Sequence, residues 1–277
     1  MTVPYFYKNS NSRFLSIEGE ESAAFLQNLI TNDINKCASD KFLYSCLLTP
    51  QGKFICDFFI FMKDSKYIIE THSFFYEKLL KKLKLYKLRS KIIINEVTNF
   101  YSYVVFGNLK KDDDTIILNN DPRNEHLGNK LIHKSNKPTL LSNHKPIDER
   151  KYHEIHIRNT VPLSHYDLDE NKSLLLENNF ENLNSISWDK GCYIGQEITA
   201  RMKYRALLKK RIYSLKIING DANIHQLIID NENNYGKIIG LENKYVLAML
   251  KIELAEKKID TQKQIKTDEG SILEFII

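Results

Sequence analysis

The chain has 277 residues, 42% of them hydrophobic and 27% charged, with a formal net charge of +5. That length holds two domains, or one large one, with real cores, and the composition is that of an ordinary soluble globular protein. No apolar run approaches the roughly 20 residues that cross a bilayer, and so modest a charge does not by itself mark a nucleic-acid binder.

Met1-Thr2-Val3-Pro4-Tyr5 lacks the basic-then-apolar layout of a secretory signal. An arginine-rich presequence is absent too, so a bacterial cytoplasmic location is expected. From there the chain reads as a strand over 14–19 and a helix over 20–34, with Phe25, Leu26, Leu29 and Ile30 on one face. Strands follow at Leu43–Thr49 and Phe54–Met62, joined by the turn signal Pro50-Gln51-Gly52. Tyr67–Glu70 reads as a further strand leading into a helix over 73–86. Its basic side carries Lys78, Lys81, Lys82, Lys84 and Lys87, and Arg89 and Lys91 extend the cluster. That cluster reads as a solvated helix face or as a patch for phosphate, polyglutamylated folate or RNA. Ile92–Val97 and Tyr101–Phe106 look like paired strands. Asp112-Asp113-Asp114 and Asn119-Asn120-Asp121-Pro122 look like loops, and Pro146 opens a predicted helix carrying Tyr152, Ile155 and His156.

Residues 161–185 are polar and irregular and lead into Lys190-Gly191-Cys192-Tyr193-Ile194-Gly195-Gln196-Glu197-Ile198-Thr199-Ala200-Arg201. This stretch sets a thiol between two glycines, just ahead of a helix predicted to begin near Gly195. A helix N-terminus and nearby cations favour the thiolate, which suits an active Cys192 with Lys190 and Arg201 beside it. Inert packing is the alternative, since free cysteine is commonly buried. Beyond Leu208, short alternating strands at Arg211–Ile217, Gln226–Ile229, Gly236–Ile239, Tyr245–Leu250 and Ser271–Ile276 read as a small β-barrel or sandwich. Mixed hairpins and helices make the fold class α+β. The expected divisions are 1–110, 111–207 and 208–277.

Cys37, Cys46, Cys56 and Cys192 form no Cys-x-x-Cys pair, so neither an intrinsic metal site nor a stable iron–sulfur cluster is expected. Cys46 and Cys56 lie in apolar strands and read as packed. His153 and His156 share a helix face. They read as hydrogen-bonded histidines, with no third ligand in view for a metal.

The run from Phe25 to Ile34, the hairpin from Leu47 to Lys53, Tyr86 to Lys91, and Tyr193, Gly195, Gln196, Glu197, Arg201 and Arg205 together resemble the YgfZ family. These are folate-binding, aminomethyltransferase-like proteins that help mature iron–sulfur proteins. The resemblance implies a cloverleaf of two α/β parts around a central folate pocket, closed by a small C-terminal β-barrel. It implies tetrahydrofolate as cofactor, with Tyr44, Asp57 and Glu177 as candidate pocket residues. Cys192, Lys190 and Arg201 become the chemical residues, with Cys192 a transient cluster or sulfur ligand, and Gly191, Tyr193, Gly195, Gln196, Glu197 and Arg205 become the ligand-binding signature. Iron–sulfur client or assembly proteins are the expected partners and tRNA modification an indirect beneficiary. Direct nucleic-acid binding and membrane association are not expected.

Two alternatives stand beside it. One is a glycine-cleavage-type aminomethyltransferase, whose catalytic aspartate position reads Cys56 here, leaving Asp57. Its pterin-holding Arg-Leu-Glu stretch reads His156-Ile157-Arg158, a cation in place of the carboxylate. The other is a basic scaffold for RNA or protein. The chain also departs from the YgfZ pattern at His156, at Thr160, where a glycine is usual, and at Ala206, where the usual pair is Arg-Gly.

Overall fold

The computed structural model describes residues 3–230, 233–261 and 264–276. Met1, Thr2 and Ile277, which belong to the terminal segments read above, lie outside them.

In chain order the elements are β1 (Tyr5–Asn9), β2 (Ser12–Glu18), α1 (Ser22–Gln27), β3 (Leu43–Leu48), β4 (Phe54–Lys63), β5 (Lys66–His72), α2 (Ser73–Lys87), β6 (Ile93–Val97), β7 (Tyr101–Phe106), β8 (Thr115–Asn120), β9 (Asn129–His133) and β10 (Lys145–Ile147). Then come α3 (Glu149–Arg158), α4 (Ser164–Asp167), α5 (Gln196–Tyr204), β11 (Lys210–Asn219), β12 (Leu227–Asp230), β13 (Asn233–Glu242), β14 (Tyr245–Lys251), α6 (Ile252–Asp260), β15 (Ile265–Thr267) and β16 (Ile272–Phe275). They build two five-stranded sheets, ordered β3-β4-β5-β2-β6 and β10-β1-β7-β9-β8, and a closed barrel ordered β11-β14-β13-β12-β15-β16. The α+β class and the C-terminal barrel read from the sequence are present.

β6 and β7 do not pair with each other, contrary to the sequence reading. β6 hydrogen-bonds to β2 in the first sheet, and β7 lies between β1 and β9 in the second. The short link 98–100 therefore crosses between sheets. Because the second sheet takes strands from both sides of residue 110, the chain does not part cleanly there. Pro146 sits in β10 opposite Phe6, at the sheet's edge, where a missing N–H is tolerated. The helix instead starts at Glu149, with the Asp148 side chain accepting from Lys151 N–H at 2.8 Å.

α1 ends at Gln27, well short of the predicted 34. Polar side chains take over the backbone beyond it. Gln27 Oε1 accepts from Ile34 N–H, and Asn32 Nδ2 donates to the carbonyls of Tyr44 and Asn184. Thr31 Oγ1 donates to Ser185 O and accepts from Cys46 N–H. Such local alternatives compete with the helical ladder. α2 matches its prediction: Phe75, Leu79 and Leu83 recur at helical spacing and are buried, worth about 2 kcal/mol each. The barrel packs on α3, where Ile157 joins Ile212 and Leu247, and Ser214 Oγ donates to Ile157 O at 2.6 Å.

Candidate functional site

Two regions carry the chemistry, the signature loop and a cavity between the sheets.

Lys190 is buried in the loop, and its ammonium donates to the carbonyls of Gln27, Ile30 and Asn32 at 2.7, 2.7 and 2.8 Å. All three ammonium protons are thereby engaged. Burial pulls its pKa down to about 8, which leaves the group charged at neutral pH. Lys190 therefore caps the frayed end of α1 and anchors the loop, instead of facing the thiol as the sequence suggested. Tyr193 lies under that ammonium, 5.1 Å from Nζ to ring centroid. Its buried hydroxyl has no partner, and burial pushes its pKa up.

Gly195 caps α5 with φ +83°, and a Cβ there would lie 2.4 Å from Thr49 O and 2.8 Å from Leu48 Cβ. Gly52, at φ +71°, faces it: a Cβ there would lie 2.9 Å from Gly195 O. The Pro50-Gln51-Gly52 turn and the signature loop thus interlock, and only glycine fits at either contact. Cys192, three positions before the cap, is exposed, while Cys46 and Cys56 are buried and Cys37 is half-buried. Burial raises all three of those thiols, Cys37 to about 12. Arg201 is paired with Glu197 at 2.6 Å on the exposed face of α5, and Arg205 is exposed at its C-terminal end.

The cavity, about 70 Å³, lies where both sheets meet α3 and α4. Tyr7, Phe58, Phe59 and Tyr152 give it aromatic walls. Asp57 lines it, and Asp57 Oδ2 accepts from Tyr44 Oη at 2.6 Å and from Ser164 Oγ at 2.8 Å. Since side chains alternate along β4, the neighbouring Cys56 turns into the core. The position read as the lost aspartate therefore faces away, and the retained acid faces the cavity. Glu177 does not line it. That carboxylate is half-buried near Lys210 and Lys53, and burial raises its pKa.

The cavity floor is a set of buried charges. Lys130 Nζ pairs with Glu70 Oε2 at 3.1 Å and lies 4.0 Å from the Phe59 ring centroid, and Ser12 Oγ donates to Glu70 Oε1. Arg123 donates to both oxygens of Asp121, at 2.9 and 2.7 Å. At the outer side His72 and His165 stack with ring centroids 3.7 Å apart, and Glu149 Oε1 is 3.6 Å from His165 Nε2. Burial holds both histidines down to about 4.

Sequence reasoning named Asp57 and Tyr44 but missed Glu70, His72, Arg123, Lys130, Glu149 and His165. Charges inside the apolar runs Ile68-Ile69-Glu70 and Lys130-Leu131-Ile132 were the available signal. Arg158 lies 5.1 Å from the Tyr245 ring centroid and 3.9 Å from Glu154, on the barrel side of α3. The cation read there as opposing a pterin does not line the cavity. Nor does His156, which is buried, with both ring nitrogens unpartnered and its pKa lowered by burial. His153 pairs with Asp167 at 3.1 Å, as an ordinary hydrogen-bonded histidine. No helix among the described residues is long and apolar enough to cross a membrane.

Residues 8–107 match the family model described as GCVT N-terminal domain. The chain is 26% identical over 264 residues to the iron-sulfur cluster assembly factor IBA57 homolog, mitochondrial, of Dictyostelium discoideum, covering 78% of this chain and 64% of that protein. It is 26% identical over 225 residues to the mouse (Mus musculus) iron-sulfur cluster assembly factor IBA57, mitochondrial, covering 73% and 63%. It is 29% identical over 227 residues to the Neurospora crassa homolog, covering 74% and 52%. The chain thus spans less than two thirds of these relatives' own length. Its fold matches the glycine cleavage system aminomethyltransferase T of Bartonella henselae, with TM-score 0.73 at 10% identity over 98% of this chain and 84% of that one. The expected cytoplasmic location is overturned here, because the relatives are described as mitochondrial and point to mitochondria instead. The chain thus has an aminomethyltransferase-like fold and is similar in sequence to these iron–sulfur cluster assembly factors.

Proposed function

We propose that this chain is an iron–sulfur cluster assembly factor that holds a reduced folate in the cavity and meets a partner protein through Cys192. The relatives' names support the first part. They concern iron–sulfur assembly, and the expected link to tRNA modification finds no support among them. The observation that carries the rest is the separation of the two regions. A cavity with aromatic walls and orphaned polar atoms (His72 Nε2 and His165 Nε2) lies inside. An exposed thiol sits on a loop pinned by Lys190 and Gly195 outside.

The cavity residues fit a pterin-bearing ligand. Flat aromatic side chains cover a planar ring, and buried unpartnered polar atoms favour a ligand that satisfies them. Asp57, oriented by two hydroxyls, accepts from ligand N–H groups. The room is small, so a folate displaces partly exposed side chains such as His165. Bound there, a reduced folate supplies one-carbon units carried on its ring nitrogens. Cys192, exposed and fixed at its base, is placed to ligate a cluster in transit or to exchange thiols with a client.

Calorimetric titration of the reduced protein with tetrahydrofolate, wild type beside Cys192→Ala, tests the arrangement. Equal micromolar binding by both is expected. Absence of binding by the wild type would contradict the folate part of the reading, and loss confined to Cys192→Ala would contradict the separation of the two regions.

A further inference from the structure

One polar group in the cavity has its proton placed by the fold. His72 caps α2, with Nδ1 accepting from Phe74 N–H at 3.2 Å. A nitrogen that accepts carries no proton, so the neutral ring holds its hydrogen on Nε2. Burial, reinforced by neighbouring His165, keeps His72 neutral, its pKa lowered to about 4. The resulting Nε2–H is buried and has no partner, and His72 lines the cavity. Leaving such a donor unmatched is costly, and a ligand acceptor would relieve that cost.

Beside it stands an acceptor. His72, Glu149 and His165 each bring one ligand-type atom to within 4.8 Å of the others. The trio does not form a metal centre as it stands. The imidazole planes are only 9° from parallel with centroids 3.7 Å apart, and one ion cannot lie in both planes. Metal ligation through His72 Nε2 would also drive its proton onto Nδ1 and break the helix cap. What remains is an N–H donor next to a carboxylate acceptor.

We propose that His72 and Glu149 form a donor–acceptor edge that reads a ring lactam, with the ring carbonyl accepting from His72 Nε2–H and the adjacent ring N–H donating to Glu149. This rests on the folate reading, because the oxo-pterin ring carries such an edge. It makes His72 a specificity-determining residue. A ligand with an amino group in place of the carbonyl would present a donor to a donor.

The test is calorimetric titration with tetrahydrofolate and with tetrahydroaminopterin, which differ only at that carbonyl. Wild type, His72→Asn and Glu149→Gln are compared. Asparagine is a good helix cap, so His72→Asn keeps α2 capped while withdrawing the Nε2–H from the cavity, its shorter amide NH2 lying nearer the backbone, and thermal unfolding confirms that it is folded. Wild type is expected to prefer the oxo compound by about 10–100-fold. That ratio falls toward one in His72→Asn, and Glu149→Gln binds the oxo compound more weakly. Equal affinities in the wild type, or a preference that survives His72→Asn, would overturn the proposal and leave the folate reading standing. Binding of neither compound by the wild type would overturn both.

Discussion

Thr160 and Ala206 stand in left-handed backbone, at φ +55° and +49°. Both are positions where the family resemblance leads one to expect glycine. The conformation costs a side-chain-bearing residue about 1–2 kcal/mol, and Thr160 is β-branched, which makes it the more strained. Glycine would relieve the strain while adding disorder to the unfolded chain. Thr160→Gly is expected to stabilise by about 1 kcal/mol and Ala206→Gly by about half that. Urea midpoints read this directly, and a lowered midpoint in both would show that the turns are not strained. Single residues were partly legible in the sequence. The glycines of the signature were visible as glycines, but what they touch was not, since Gly52 and Gly195 meet only after the chain has folded. Asp57 was legible as an acid. That it faces the cavity and Cys56 the core depends on strand phase, which one residue of register decides.

Among the elements, α1 and the signature loop depend on each other. Replacing Lys190 by Met strands the carbonyls of Gln27, Ile30 and Asn32 in a buried place. The expected cost is about 3 kcal/mol, measured by urea unfolding. A loss under about 0.5 kcal/mol would mean that water replaces the ammonium. The β5–α2 junction and α4 bring His72 and His165 together with an acid-sensitive consequence. Both are held near pKa 4 when folded, against 6.5 when unfolded. The unfolded chain therefore binds more protons between those limits, and stability falls with acidification. The stability is fully present above pH 6.5 and is lost as pH falls toward 4. Discounted for solvent screening of two partly exposed rings, the pair contributes on the order of 2–3 kcal/mol together. Replacing His165 by Gln is expected to flatten the decline in urea midpoint between pH 6.5 and 4.5, and an unchanged slope would count against the stacked pair. Elements with strong periodicity, such as α2 and the β3–β4 hairpin, were legible. β1, β8, β9, β10 and α6 were not, because short edge or mixed-polarity segments carry little period of their own. The helix predicted to 34 failed because side-chain hydrogen bonds and a lysine distant in sequence outcompeted local propensity.

Over the whole molecule, two sheets and a barrel meet along α3. One side of that helix gives Glu149 and Tyr152 to the cavity, and the other packs on the barrel. The sequence indicated the aminomethyltransferase-like plan through its motifs, yet not that the link 98–100 passes between sheets, because pairing partners are a tertiary choice. It also suggested a cytoplasmic home that the mitochondrial relatives correct. The proposed arrangement separates an inner ligand cavity from an outer thiol, and the two are joined by the interlocked Gly52 and Gly195 turns. The most direct test of that arrangement is rescue of iron–sulfur enzyme activity in cells depleted of their own relative, comparing wild type with Cys192→Ala expressed at equal level. Wild type is expected to restore activity and Cys192→Ala to fall at least about tenfold short while still binding tetrahydrofolate. Full rescue by Cys192→Ala would contradict the account.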